Sequence, residues 1–165
     1  MKSLHDILRD LARAYVEGLK AELGDSLVSV VLFGSVVRGE TTPNSDIDLF
    51  VVVADLPLGR RARLECIRSA DQRVEARLNE LRLIGIYTEV CPILKTPEEA
   101  ARIRPLYLDF VEDAIILFDR DGFFAGVLRR LKRRLKELGS ARRRLGKIRY
   151  WELKPDYRHG EIFHL

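Results

Sequence analysis

The chain is poor in several things. It has two cysteines, Cys66 and Cys91, in 165 residues. They have no CxxC spacing and no histidine cluster nearby, so a zinc site is not expected. Two reduced, partly buried thiols fit better, with a disulfide between them left open. His5, His159 and His164 are scattered and read as surface residues. Asn and Gln together occur three times (Asn44, Asn79, Gln72), while 33% of residues are charged, a balance of the thermophile kind. No apolar run approaches the roughly 20 residues of a membrane span, so no membrane is expected. The N-terminus, MKSLHDILRDL, carries acids inside its apolar pattern and reads as a helix rather than a signal peptide. The expected location is therefore the cytoplasm.

Charge of one sign is missing from one region. Residues 129–149 hold eleven Lys/Arg and one Glu, a net of +10, whereas the remainder holds 18 basic against 24 acidic residues, a net of −6. An acidic body with a basic C-terminal segment has two readings. The segment meets nucleic acid, nucleotide phosphates or an acidic partner, or it is a solvated helix face paired to acids of the body.

The apolar spacing of Leu4, Ile7, Leu8, Leu11, Tyr15, Leu19 and Leu23 predicts a helix over 3–23, capped by Ser3 with Asp6 and ended by Gly24. LVSVVLF (27–33) and DIDLFVVVA (46–54) predict buried strands. Between them, 34–44 is a turn or short helical segment. One long helix is expected over 60–82 and a strand over 85–94, with Pro92 marking an edge. A short helix begins at Pro97, 106–113 is helical, 114–118 is a short strand, and 121–138 is a basic helix. The end of the chain reads as an extended tail or loose hairpin about the Pro155–Asp156 turn. This order predicts an α/β (α+β) domain, a small mixed sheet with helices packed on it. Residues 1–120 would form the core, and 121–165 a basic helix and tail of the same compact unit.

Chemistry concentrates in GSVVRGETTPNSDIDLF, residues 34–50. Alternation along a strand places Asp46 and Asp48 on one face, with Cα atoms roughly 7 Å apart. Two carboxylates aimed at one point repel and raise each other's pKa, a problem that a hard divalent cation removes. Glu89, within the predicted strand 85–94, is placed to join them if that strand pairs beside 46–54. Three carboxylates suit two metal ions and in-line phosphoryl or nucleotidyl displacement. Gly34 lets backbone approach a phosphate closely, and Ser35 offers a hydroxyl and an N–H. Arg38 either assists a phosphate oxygen or pairs with Glu40. Lys147, Arg149, Tyr150 and Trp151 either stack and grip a base or pack the tail on the core. Taken alone, each of these has a plainer reading: a turn, a cap, or a solvent-facing strand acid.

Gly34-Ser35, ten residues, then Asp46-Ile47-Asp48 resembles the signature of the DNA polymerase β-like nucleotidyltransferase superfamily. The forms GSVVRG and SDIDL are most similar to its small prokaryotic members, the minimal nucleotidyltransferases. The resemblance covers about residues 25–95 and implies the palm-like fold of that superfamily. It implies that Gly34 and Ser35, with Arg38 and Ser45, serve the nucleotide. It further implies that Asp46, Asp48 and Glu89 bind two Mg²⁺ ions (or Mn²⁺) and carry catalysis. Glu89 departs from the Asp that many members have there. The implied reaction moves a nucleoside monophosphate from an NTP, ATP before others, to a hydroxyl and releases pyrophosphate. Small members often work with a helical HEPN protein and act as antitoxins by adenylylating it; a homodimer is the other way to complete such a site. The alternatives are a nucleotide- or RNA-binding regulator acting through 129–149, and nucleotidylation of a small molecule such as an aminoglycoside.

Overall fold

The computed structural model describes residues 2–146 and 148–165. Helix α1 (Leu4–Leu23) begins at a capping box: the Ser3 hydroxyl accepts from the Asp6 N–H while the Asp6 carboxylate takes the Ser3 N–H. Strand β1 (Leu27–Phe33) follows, then a single helical turn, α2 (Ser35–Arg38), and β2 (Ile47–Val53). Two helices, α3 (Arg60–Glu65) and α4 (Arg68–Leu83), lead to β3 (Val90–Lys95). Short helices α5 (Pro97–Ala101) and α6 (Leu106–Glu112) precede β4 (Ile115–Asp119) and α7 (Phe123–Glu137). The chain closes with strands β5 (Ala141–Leu145) and β6 (Ile148–Glu152) and a short tail.

The main sheet has the order β3-β2-β1-β4. β1 is antiparallel to both neighbours, while β2 and β3 run parallel, so the sheet is mixed. Parallel pairing needs a crossover, which α3 and α4 supply. Alternation along β2 sends Ile47, Leu49, Val51 and Val53 to one core with α1 and α4. Phe50 and Val52 go to a second core with Tyr107, Phe110 and Phe124. There Phe50 meets these three rings at centroid distances of 5.0–5.5 Å. The result is a helix–sheet–helix sandwich, the small mixed sheet with helices packed on it that the sequence predicts.

Four expectations need correction. The long helix over 60–82 is broken at Cys66–Ile67. Ile67 is fully buried, and α4 restarts because Glu22 of α1 accepts from the Ser69 and Ala70 N–H groups at its first turn. The third strand starts at Val90, so Glu89 flanks it rather than lying inside it. The C-terminal hairpin is real, but its strands meet at Gly146 and not at Pro155–Asp156; Gly146 has the positive φ of +60° that the turn requires. Cys91 is exposed and only Cys66 is partly buried; both are free thiols. Among the described residues, no helix is long and apolar enough to cross a membrane.

Candidate active site

The first residues of the parallel strands bring the predicted carboxylates together. Asp46 lies just before β2, and its Oδ1 accepts from the Glu89 N–H at 3.2 Å. The Ile47 N–H donates to the Glu89 carbonyl at 2.8 Å, locking the two strand starts. Asp48 stands in register between Phe33 of β1 and Cys91 of β3. Burial beside these neighbours raises its pKa, and the Asp46 carboxylate raises it further; the Arg38 charge opposes both. The Asp48 carboxylate is half-buried, and among the described residues no group donates to it, so solvent is its remaining partner.

Gly34 makes this approach possible. Its φ is +78°, and a Cβ there would stand 2.2 Å from Asp48 Oδ2. Only glycine satisfies both demands. The turn therefore brings backbone directly against the carboxylate, and Ser35 begins α2 beside it. Ser45 is spent locally: its Oγ accepts from the Thr42 N–H at 2.9 Å, and its own N–H donates to the Thr42 carbonyl. That closes the loop before Asp46. The Tyr87 N–H donates to the Pro43 carbonyl at 2.7 Å and ties this loop to the approach of β3. Arg38 pairs with Glu40 at 2.8 Å, the second of its two readings.

The pair Asp46 and Asp48 fits a divalent cation, because the partly desolvated Asp48 charge, repelled by Asp46, is what a cation would relieve. Glu89 adjoins the pair through its backbone only; its exposed carboxylate leans to Arg82 at 3.7 Å. Among the described residues, no three side chains are already gathered as a metal cluster. Beside the carboxylates opens a groove of about 890 Å³ between β3 and the α3–α4 pair, lined by Asp48, Glu89 and Cys91 with Arg60, Arg68 and Arg82. Of the base-gripping group, Trp151 packs against the second core, Tyr150 is exposed, Arg149 bonds Glu40, and Lys147 lies outside the described residues.

Cys91 and Arg82 were not singled out from sequence as parts of this site. Cys91 is level with Asp48, and burial, then the charges of Asp46, Asp48 and Glu89, raise its thiol pKa. The parallel register of β2 and β3 would have located it, had that register been known.

A mixed sheet that presents a glycine-serine turn against two aspartates at a strand start defines the nucleotidyltransferase class. The chain belongs to the nucleotidyltransferase domain family, which matches residues 13–137. It is 31% identical over 134 residues to a Methanocaldococcus jannaschii protein provisionally named protein adenylyltransferase MJ1305, covering 80% of this chain and 86% of that one. A toxin–antitoxin crystal structure with AMP-PNP is 21% identical, covering 76% of this chain and 90% of that one, with a TM-score of 0.46. A tri-AMPylated Shewanella oneidensis HEPN toxin in complex with MNT antitoxin gives 18% identity, 80% and 92% coverage and a TM-score of 0.45. Overlap this distant carries neither substrate nor partner across.

Proposed function

We propose that this nucleotidyltransferase transfers a nucleoside monophosphate from ATP to a hydroxyl acceptor and releases pyrophosphate. The observation that carries the reading is the half-buried Asp48 carboxylate, unpaired, repelled by Asp46 and packed against the Gly34 turn. Asp46 and Asp48 would hold Mg²⁺, with Glu89 as the third ligand for a second ion once it turns from Arg82; Mn²⁺ would serve as well. When bound, the metal neutralises the triphosphate and the leaving pyrophosphate. Gly34 and Ser35 position the triphosphate through backbone N–H groups and the Ser35 hydroxyl, and Arg38 adds a cation. The acceptor oxygen forms a bond to the α-phosphorus as the bond to the bridging oxygen of the β-phosphate breaks. The acceptor proton passes to Glu89, whose carboxylate is exposed. The reaction belongs in the cytoplasm, where ATP is at hand.

A protein acceptor is favoured by the 31% identical relative, whose provisional name is protein adenylyltransferase. A helical HEPN-type partner is the first candidate for that acceptor, and a homodimer the second. The decisive experiment incubates the protein with Mg²⁺ and each α-labelled NTP in host lysate, beside Asp48→Asn. A labelled product with ATP that is absent with the variant supports the reading. Label equal in both sinks it.

A second reading, a nucleic-acid-binding regulator, draws on one observation. Arg129, Lys132, Arg133 and Lys136 are exposed at helical spacing on α7, and among them only Arg133 meets an acid, Glu137 at 3.9 Å. RNA affinity that falls steeply with salt, survives Asp48→Asn and accompanies no label transfer would favour it.

A further inference from the structure

Glu40 sits between two guanidinium groups from distant parts of the chain. Arg38 Nε, on α2, donates to Oε2 at 2.8 Å, and Arg149 Nη2, on β6, donates to Oε1 at 2.7 Å. Arg149 Nη1 also lies 3.9 Å from Asp113, which Arg142 of β5 holds directly. Three arginines thus share two carboxylates, leaving an excess of positive charge. The cluster is close to the reacting end of the site. α2 spans one turn, about 6 Å, between the Gly34 contact with Asp48 and the Glu40 loop. The Arg38 charge is felt at both Asp48 and Asp113.

The hairpin is organised around this contact. Antiparallel register places Arg142, Trp151 and Arg149 on its inner face. Leu145, Ile148 and Tyr150 are left exposed on the outer one. Trp151 and the following Leu153 pack against the second core and already anchor the hairpin. Exposed ion pairs add little to such an anchor. Glu40 is therefore better explained as holding two cations in place than as fastening a strand.

We propose that Arg149 is a triphosphate-binding residue that leaves Glu40 when nucleotide enters and, beside Arg38, grips the β- and γ-phosphate oxygens. This rests on the nucleotidyl-transfer reading above and adds to it a residue beyond the family's matched span of 13–137. A triphosphate carries more charge than one carboxylate, and the planar guanidinium fork matches its oxygens in a bidentate way. Glu40 then acts as a placeholder: it pre-positions both forks and keeps them from neutralising Asp46 and Asp48.

Calorimetric titration of the full chain with MgATP and with AMP tests this. Arg149→Ala should weaken MgATP about tenfold, the scale of one charge-assisted contact, and leave AMP unchanged. Arg149→Lys, which keeps the charge and loses the fork, should fall between. Glu40→Gln frees both arginines and should bind MgATP as tightly as the parent or tighter. Equal weakening by Arg149→Ala and Glu40→Gln would show that the contact only fastens the hairpin, and unchanged affinity in Arg149→Ala would equally overturn the assignment. Failure of the unaltered protein to bind MgATP at all would remove the transfer reading, and this inference with it.

Discussion

Two aspartates on the same sheet lie in opposite circumstances. Asp119 ends β4, where its carboxylate accepts from the Ser29 hydroxyl at 2.5 Å and from the Phe124 and Ala125 N–H groups at 2.9 Å each. It does the work of an N-cap for α7, whose own cap position is Gly122. Asp48, the second residue of β2, is half-buried, and no described residue donates to its carboxylate. The first carboxylate is complete within the fold. The second is left open to solvent and to a ligand. Both are aspartates near a strand terminus, so hydrogen bonding within the fold is what separates a structural acid from a reactive one.

The sharpest way to break the comparison is to remove each carboxylate in turn. Asp48→Asn should lower nucleotidyl transfer by more than about a hundredfold, since even outer residues of metal sites cost 10–100-fold. Its thermal stability should be unchanged or raised, because a repelled charge has gone. Asp119→Ala should do the reverse. It strands the buried Ser29 hydroxyl and two helix N–H groups, at about 2–4 kcal/mol, and folded protein should keep its specific activity. Melting curves and initial rates on both variants decide it. A large loss of stability in Asp48→Asn would make Asp48 a second structural acid.

Gly34→Ala attacks the same carboxylate from the backbone. The added methyl would meet Asp48 Oδ2 at 2.2 Å in a backbone conformation of φ +78°. Either the turn or Asp48 must move. The strain is on the order of 1–3 kcal/mol, and activity should fall at least tenfold. Gly39, at φ +70° with nothing within 4 Å of its Cβ position, is the control. Its alanine variant should show only the backbone strain, with near-normal turnover per folded molecule.

A pH series sharpens the comparison with a smaller effect. Asp48 has its pKa raised in the fold, so ionising it opposes folding. Its contribution is absent below the unfolded pKa, near 3.8. It then grows unfavourable as pH rises towards and through the folded value. The parent should therefore lose stability relative to Asp48→Asn over that window, by less than about 1 kcal/mol for a half-exposed group. Glu99 works in the opposite sense: Arg63 holds its carboxyl down at about 2, so stability from that pair is full above the unfolded value of 4.5 and is lost progressively as pH falls from there through about 2. Urea denaturation of parent and Asp48→Asn between pH 3.5 and 7 gives the difference directly. A difference that does not vary with pH would mean that the Asp48 pKa is not raised in the fold.

What was legible in the sequence was local. The Ser3–Asp6 capping box, the β-branched runs of β1 and β2, and the alternation that puts Asp46 and Asp48 together are each decided within a few residues. Pro92 signalled an edge strand, and β3 is one. The misses were decided at long range. The break at Ile67 depends on Glu22, 47 positions from Ser69, and no local pattern announces a cap lent by another helix. The hairpin at Gly146 forms from an arginine-rich run with little strand propensity. It is held because Arg142 finds Asp113 and Trp151 finds the second core. The basic segment proved to be divided. Arg142, Arg143 and Arg149 pair with acids, while most of the α7 stripe does not.

The smallest expected change in stability concerns Glu89, the carboxylate between the two cases. Its backbone is engaged on both sides, by Asp46 and Ile47, so its position is fixed by the fold as Asp119's is. Its side chain is 73% exposed and meets Arg82 only at 3.7 Å, so it contributes little stability. Glu89→Gln should thus leave the melting temperature within about 1–2 °C, since exposed substitutions stay within about 0.5 kcal/mol. As the acceptor's base it should cost about 10²-fold in turnover, the lower range for general base catalysis, with little change in KM for ATP. Arg82→Ala separates the roles. It frees Glu89 without removing it, and a rate equal to or above the parent's would show that the ion pair restrains the carboxylate. A full rate in Glu89→Gln would leave Asp46 and Asp48 as the only reactive acids and return Glu89 to the groove rim.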